Sequence, residues 1–197
     1  MFTLEQGSKL VKLARRSIKA FFDKKEIKLK KEEGKEFKEK QGVFVTLHTY
    51  PEKQLRGCIG LPYPVLPLSK AVVEAAKSAA FNDPRFFPLA KSELDKIIIE
   101  ISVLTVPELI KCKPVELLKK VRIGKDGLIC SYGNYSGLLL PQVATEQKWN
   151  AKEFLEQTCV KAGLSPTTWL KPECRFYRFQ AQIFCEEKPN GKVVEKR

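Results

Sequence analysis

The stretch that organises this chain is Gln54-Leu55-Arg56-Gly57-Cys58-Ile59-Gly60. In a strand, alternate side chains point to opposite faces, so Arg56 and Cys58 share one face. A nearby guanidinium favours the thiolate, which is the reactive form of cysteine. Gly57 and Gly60 leave bare backbone beside the sulfur, where a ligand or another strand can approach. The pattern predicts a reactive Cys58 supported by Arg56. The alternative is a buried cysteine beside an arginine that points to solvent.

The segment before this stretch predicts its pairing partner. Residues 43–50 alternate as a strand, and residues 51–53 form a turn, which together predict an antiparallel hairpin. With a three-residue loop, Thr46 lies opposite Cys58 and His48 lies opposite Arg56, and opposed residues share a face. The single histidine of the chain would then act with Cys58 and Arg56 as a catalytic group. A two-residue loop would reverse the parity and remove His48 from that face.

Residues 55–60, called the hallmark below, also resemble the signature of the AMMECR family. Further matching stretches follow in the family's order at residues 79–86, 99–104, 137–144 and 159–164. The resemblance implies a compact α+β domain and supplies no reaction. It also implies two partners that are encoded nearby in prokaryotes, a radical-type iron–sulfur enzyme and a dioxygenase-like protein.

The matching stretch at 79–86 contains Asp83 and Arg85 after an Asn-Asp-Pro turn signal. Because the family shares this stretch, the resemblance raises Arg85 as an anion-binding partner for the face that carries Cys58. Asp83, Arg85, Gly57 and Gly60 are therefore the predicted substrate-binding residues. The alternative is a turn lock, in which Asp83 and Arg85 pair with each other.

The rest of the pattern predicts an α+β fold with a mostly antiparallel sheet flanked by helices. Helices are expected at residues 3–22, 68–80 and 151–162, and a last strand at residues 175–186. Residues 1–197 form a single domain or two small lobes that share a core. Residues 23–42 are expected to be a mobile charged connection tethered by Phe37, and residues 187–197 a frayed polar tail.

Composition limits the classes of function. No apolar run is long enough to span a bilayer, and the N-terminus lacks the pattern of a signal peptide, which predicts a cytoplasmic protein. Lys and Glu are abundant and there is a single Met, which favours a thermophilic source. The six cysteines contain no Cys-x-x-Cys pair, so free thiols, no metal site and no cofactor are predicted.

Three functions remain after this reasoning. The first is an enzyme that uses Cys58 as a nucleophile or redox thiol, and it is placed slightly ahead of the others. The second is a non-catalytic binding or accessory module for a partner enzyme. The third is a protein that binds nucleic acid weakly through its surface, since the formal net charge is +13. For that charge, a solvated lysine-rich surface is the favoured alternative.

Overall fold

The computed structural model describes residues 1–196. The α-helices are α1 (Leu4–Phe22), α2 (Lys31–Glu36), α3 (Leu68–Phe81), α4 (Leu117–Lys120), α5 (Pro141–Glu146) and α6 (Ala151–Lys161). The strands are β1 (Gly42–Thr49), β2 (Leu55–Leu61), β3 (Ile97–Leu104), β4 (Glu108–Leu109), β5 (Gly127–Tyr132), β6 (Tyr135–Leu139), β7 (Arg175–Phe179), β8 (Ala181–Glu186) and β9 (Val193–Lys196). Short 3-10 turns occur at Lys91–Lys96, Pro114–Glu116 and Pro166–Leu170. The predicted α+β class with antiparallel sheets is confirmed.

The chain forms two compact units. The first comprises Met1–Leu104 and the chain from Gln182 onward, and the second comprises Thr105–Ala181. Each unit has its own sheet, with strand order β2-β1-β3-β8-β9 in the first and β4-β7-β5-β6 in the second. Each unit also has its own cluster of buried apolar side chains.

In the first unit, helices α1 and α3 pack on the sheet. Helix α1 begins at a capping box, in which Thr3 and Gln6 satisfy each other's backbone N–H groups. Its apolar stripe, which includes Leu10 and Ile18, is fully buried. Helix α3 presents small side chains such as Ala75 and Ala79, and these allow it to approach the sheet closely.

In the second unit, helix α6 packs on strands β5 and β6. It begins at Asn150, whose side chain accepts from the Glu153 N–H while Glu153 caps the Asn150 N–H in return. Cys159 lies on its buried face, as the spacing of its apolar residues predicts.

Two segments that the sequence predicts to be loose are ordered in the structure. Residues 23–42 include helix α2, because the Glu33 carboxylate pairs with Arg16 at 2.8 Å and Phe37 is buried in the core. Phe37, the residue predicted to tether this segment, is 1% exposed. In the polar tail, Val193 joins the core cluster and strand β9 pairs with β8. Only Arg197 of that tail lies outside the described residues.

The single last strand predicted at residues 175–186 is wrong, because it divides into β7 and β8, which belong to different sheets. The backbone turns at Gln180, whose N–H donates to Thr105 Oγ1 and whose carbonyl accepts from the Thr105 N–H. Both backbone groups of Gln180 are therefore used outside either ladder, which separates the two strands. Among residues 1–196, no helix has the length and apolar character that crossing a membrane requires.

Candidate functional site around Cys58

The hallmark lies on β2, which is an edge strand of the first sheet. Glycine is required at Gly57 and Gly60, because neighbouring atoms leave no room for a Cβ at either position. A Cβ at Gly57 would lie 2.1 Å from the Ala79 carbonyl oxygen of α3, and one at Gly60 would lie 2.4 Å from the Phe44 ring. What approaches the bare backbone is therefore a helix on one side and a ring of the neighbouring strand on the other.

Hairpin pairing is as predicted next to the cysteine and differs beyond it. Strands β1 and β2 are antiparallel, and Thr46 lies opposite Cys58. A β-bulge between Leu47 and His48 then shifts the register, so His48 pairs with Leu55 instead of Arg56. The predicted placement of His48 opposite Arg56 is wrong for this reason.

His48 lines a cavity of about 470 Å³ in the first unit. The cavity walls also include Cys185, Glu186 and Lys196, and Cys58 is not among them. The histidine thus faces a different set of groups from the one that the sequence assigns to it. Lys196 pairs with the Glu100 carboxylate of β3.

Asp83 and Arg85 fasten the backbone of Cys58. The Asp83 Oδ2 accepts from the Cys58 N–H at 2.8 Å, and Arg85 Nη2 donates to the Cys58 carbonyl at 3.2 Å. The two side chains also pair with each other at 2.7 Å. Together they occupy the two outward hydrogen-bonding groups of this edge residue, as a neighbouring strand would. We call this arrangement the Asp83–Arg85 lock.

Hydrogen bonding and the Arg85 charge hold the pKa of Asp83 at about 2, against an ordinary value of 3.8. Asp83 is therefore a carboxylate at neutral pH and accepts hydrogen bonds only. The turn lock that the sequence offers as an alternative is present. The structure adds that this lock reaches across to the hallmark.

The Cys58 thiol is not poised as a thiolate. Burial raises its pKa above the ordinary value, more than the Thr46 hydrogen bond and the Arg85 charge lower it. The Thr46 hydroxyl donates to Cys58 Sγ at 3.2 Å. At neutral pH the site therefore holds mainly a protonated thiol, half buried beside a hydroxyl.

Arg56 is engaged by other groups. Its guanidinium binds the Glu93 carboxylate through two hydrogen bonds, at 2.7 and 3.0 Å, and donates to the Phe87 carbonyl at 3.0 Å. The arginine whose charge acts on the Cys58 thiol is Arg85. The sequence assigns that effect to Arg56, because alternation along a strand reveals the shared face and not the competing carboxylate of Glu93.

The loop at residues 82–88 joins these groups and carries an exposed aromatic ring. Two guanidinium groups lie near the Phe86 ring, with Arg56 at 5.9 Å and Arg85 at 5.5 Å from its centroid. The next side chain, Phe87, is 90% exposed. Phe87 and Glu93 are not among the site residues that the sequence predicts. The signal for the former is the run Phe86-Phe87-Pro88, which places two aromatic residues directly after the Asn-Asp-Pro turn signal.

Comparison with known proteins places this geometry in a family. The chain is 51% identical to the protein MJ0810 of Methanocaldococcus jannaschii, over 100% of this chain and 98% of the relative. It is 52% identical to PYRAB00100 of Pyrococcus abyssi, covering 98% of this chain and 96% of that one.

The crystal structure of PH0010 from Pyrococcus horikoshii superposes with a TM-score of 0.93 at 49% identity, covering 98% of this chain and 97% of PH0010. The AMMECR1 family model matches residues 11–184, a span that contains the hallmark, the Asp83–Arg85 lock and the whole second unit. The resemblance noted in the sequence is confirmed, and the chain belongs to the AMMECR1 family.

Proposed function

We propose that this protein is a non-catalytic binding module, whose partner protein docks on the loop at residues 82–88 beside the hallmark. The observation that carries the proposal is the 90% exposed ring of Phe87 on a loop that is fastened at several points. A large exposed aromatic next to arginine has the composition of an interface hot spot.

Hydrogen bonds hold the loop at several points along its length. Asp83 and Arg85 bind the backbone of Cys58, Arg56 binds the Phe87 carbonyl, and the Leu89 N–H donates to the Ala80 carbonyl. A loop that is already ordered loses little conformational entropy when a partner binds it. The lock and the Arg56–Glu93 pair therefore act as a frame that presents Phe87.

The chemistry of this surface predicts the chemistry of its partner. An apolar pocket would accept the Phe87 ring, and acidic or carbonyl groups at the pocket rim would meet Arg85, whose side chain is 51% exposed. The two candidate partners are the ones that the family resemblance implies, a radical-type iron–sulfur enzyme and a dioxygenase-like protein.

Isothermal titration of the full chain against each purified candidate tests this proposal. At least one candidate is expected to bind, and Phe87→Ala is expected to weaken that binding by about tenfold or more. Val65→Ala is the matched control, because Val65 is another exposed apolar residue of the same unit and lies outside the loop. Binding by neither candidate, or equal affinity for wild type and Phe87→Ala, would contradict the proposal.

A second candidate function is an enzyme that uses Cys58, and one observation favours it. The Thr46 hydroxyl and the Arg85 charge both act on the thiol and lower its pKa, although burial outweighs them. A bound substrate that changed this balance would produce a nucleophile. Labelling with a limiting electrophile and mass mapping separates the two functions, since the enzyme requires Cys58 to react before Cys112, the other half-exposed cysteine.

A further inference from the structure

Three cysteines converge in the second unit, far from the hallmark in sequence. Cys130 lies on β5, Cys159 on α6, and Cys174 directly before β7. All three are buried, and their sulfur atoms lie within 4.8 Å of one another. Cys130 Sγ is 3.8 Å from Cys159 Sγ and 3.5 Å from Cys174 Sγ. We call this group the three-cysteine cluster.

We propose that the three-cysteine cluster binds one thiophilic metal ion, of the zinc(II) or copper(I) class, through three thiolates. Zinc–sulfur bonds of about 2.3 Å, at tetrahedral or trigonal angles, separate the sulfur atoms by about 3.8 to 4.0 Å. The separation of Cys130 and Cys159 equals the lower value, that of Cys130 and Cys174 is 0.3 Å shorter than it, and the third pair lies within 4.8 Å. A disulfide, in contrast, requires an S–S distance of about 2.05 Å.

The surroundings of the cluster suit thiolate ligands. The three sulfur atoms lie in an apolar shell of buried side chains that includes Leu128, Phe154 and Trp169. Lys171 is held near the site, with its ammonium 5.1 Å from the centroid of the Tyr132 ring. Soft sulfur ligands in an apolar shell select soft ions over magnesium or calcium.

An access route also exists in the same unit. Cys174 lines a cavity of about 180 Å³, and half-exposed Cys112 lies on the same wall. We expect an ion to approach Cys174 through this cavity. The sequence predicts no metal site, because its cysteines form no local ligand pair. These three ligands come from separate elements, which only the fold brings together.

Cobalt(II), a coloured stand-in for zinc, tests the proposal. It is titrated into the reduced, metal-free full chain without oxygen. We expect one equivalent to produce sulfur-to-cobalt charge-transfer absorption in the near ultraviolet. Zinc(II) or copper(I) should then displace the cobalt and abolish the absorption. X-ray absorption of the loaded protein should show three sulfur neighbours.

Variants connect the signal to the cluster. Cys130→Ala, Cys159→Ala and Cys174→Ala should each lose the absorption, whereas Cys185→Ala, which changes a buried cysteine of the first unit, should keep it. Circular dichroism identifies the variants that are folded. Because three positions are tested independently, the test still works if one variant does not fold. The proposal is overturned if the wild type gives no absorption, if a folded variant of the cluster keeps it, or if neither ion displaces cobalt.

Discussion

Two aspartate–arginine locks, one in each unit, use the same chemistry for different ends. Asp83 is 2% exposed and its partner Arg85 is 51% exposed, while Asp126 is fully buried and its partner Arg122 is 50% exposed. Each carboxylate accepts the backbone N–H of its own arginine and binds the guanidinium through both oxygens. The pairs differ in two further bonds, since Asp83 also accepts from the Cys58 N–H and Arg85 also donates to the Cys58 carbonyl.

Those two bonds change the role of the lock. Asp126 and Arg122 are four residues apart and close a turn between α4 and β5. Asp83 and Arg85 close a turn as well, and they also fasten this turn to an edge strand. An edge strand with satisfied outward groups resists pairing with another chain. The lock therefore binds the hallmark cysteine through its backbone N–H and carbonyl. It acts on the sulfur only through the charges of Asp83 and Arg85.

The largest expected effect comes from removing each aspartate in turn. Asp83→Ala leaves the Cys58 N–H and part of Arg85 without acceptors, so we expect the free energy of unfolding of the first unit to fall by about 3 kcal/mol. Asp126→Ala should cost the second unit about 2 kcal/mol, because it removes the same bonds to an arginine and no bond to an edge strand. Both tryptophans, Trp149 and Trp169, lie in the second unit. Urea unfolding followed by tryptophan fluorescence therefore monitors that unit, and hydrogen exchange of β2 monitors the first.

Labelling of Cys58 provides the control for this comparison. Asp83→Ala should accelerate it, because the edge strand is released, and Asp126→Ala should leave it unchanged. Equal labelling rates in the two variants would mean that the hydrogen bond between Asp83 and Cys58 does not hold the edge strand in place.

The next effect is the dependence of stability on pH. The pKa of Asp83 is about 2 in the folded chain, below its ordinary 3.8, so its contribution to stability is fully present above pH of about 4. That contribution falls as the pH drops toward 2, and amounts to about 2 kcal/mol over this window. Asp83→Asn removes the titrating group and should flatten the stability curve between pH 4 and pH 2 by about this amount. Unfolding curves for the first unit that stay parallel in the two proteins would contradict the assignment.

The helices and the hallmark pairing could be predicted from sequence because their signals are local. The capping boxes at Thr3 and Asn150 each lie within one turn of helix. The alternating residues 43–47 pair with β2 in one unbroken register, which includes the pair of Thr46 and Cys58. The bulge before His48 and the break at Gln180 have no such local signal. Each depends on which backbone groups find partners elsewhere in the fold.

The candidate site divides in the same way. A pairing between Asp83 and Arg85 could be anticipated, because they are two residues apart in a turn. The contact of Asp83 with Cys58 spans 25 residues, and that of Arg56 with Glu93 spans 37. A strand pattern identifies the face on which a side chain lies, while the strongest partner on that face depends on distant loops. The three-cysteine cluster is the extreme case, since its members are separated by 29 and 44 residues from Cys130.

The smallest expected effect is a change in the pKa of Cys58. It is also the sharpest test of which arginine lowers that pKa. The sequence predicts that removing Arg56 slows the labelling of Cys58. In the structure Glu93 neutralises Arg56, and the charge that lowers the pKa of the thiol belongs to Arg85. Arg85→Gln should therefore raise the pKa of Cys58 further and slow its labelling severalfold near neutral pH, whereas Arg56→Gln should change the rate little.

Measuring the labelling rate of Cys58 against pH yields its pKa directly and separates a charge effect from simple exposure. Arg122→Gln, the same change in the second lock, is the matched control and should leave the Cys58 profile unmoved. A larger shift for Arg56→Gln than for Arg85→Gln would restore the assignment made from the sequence.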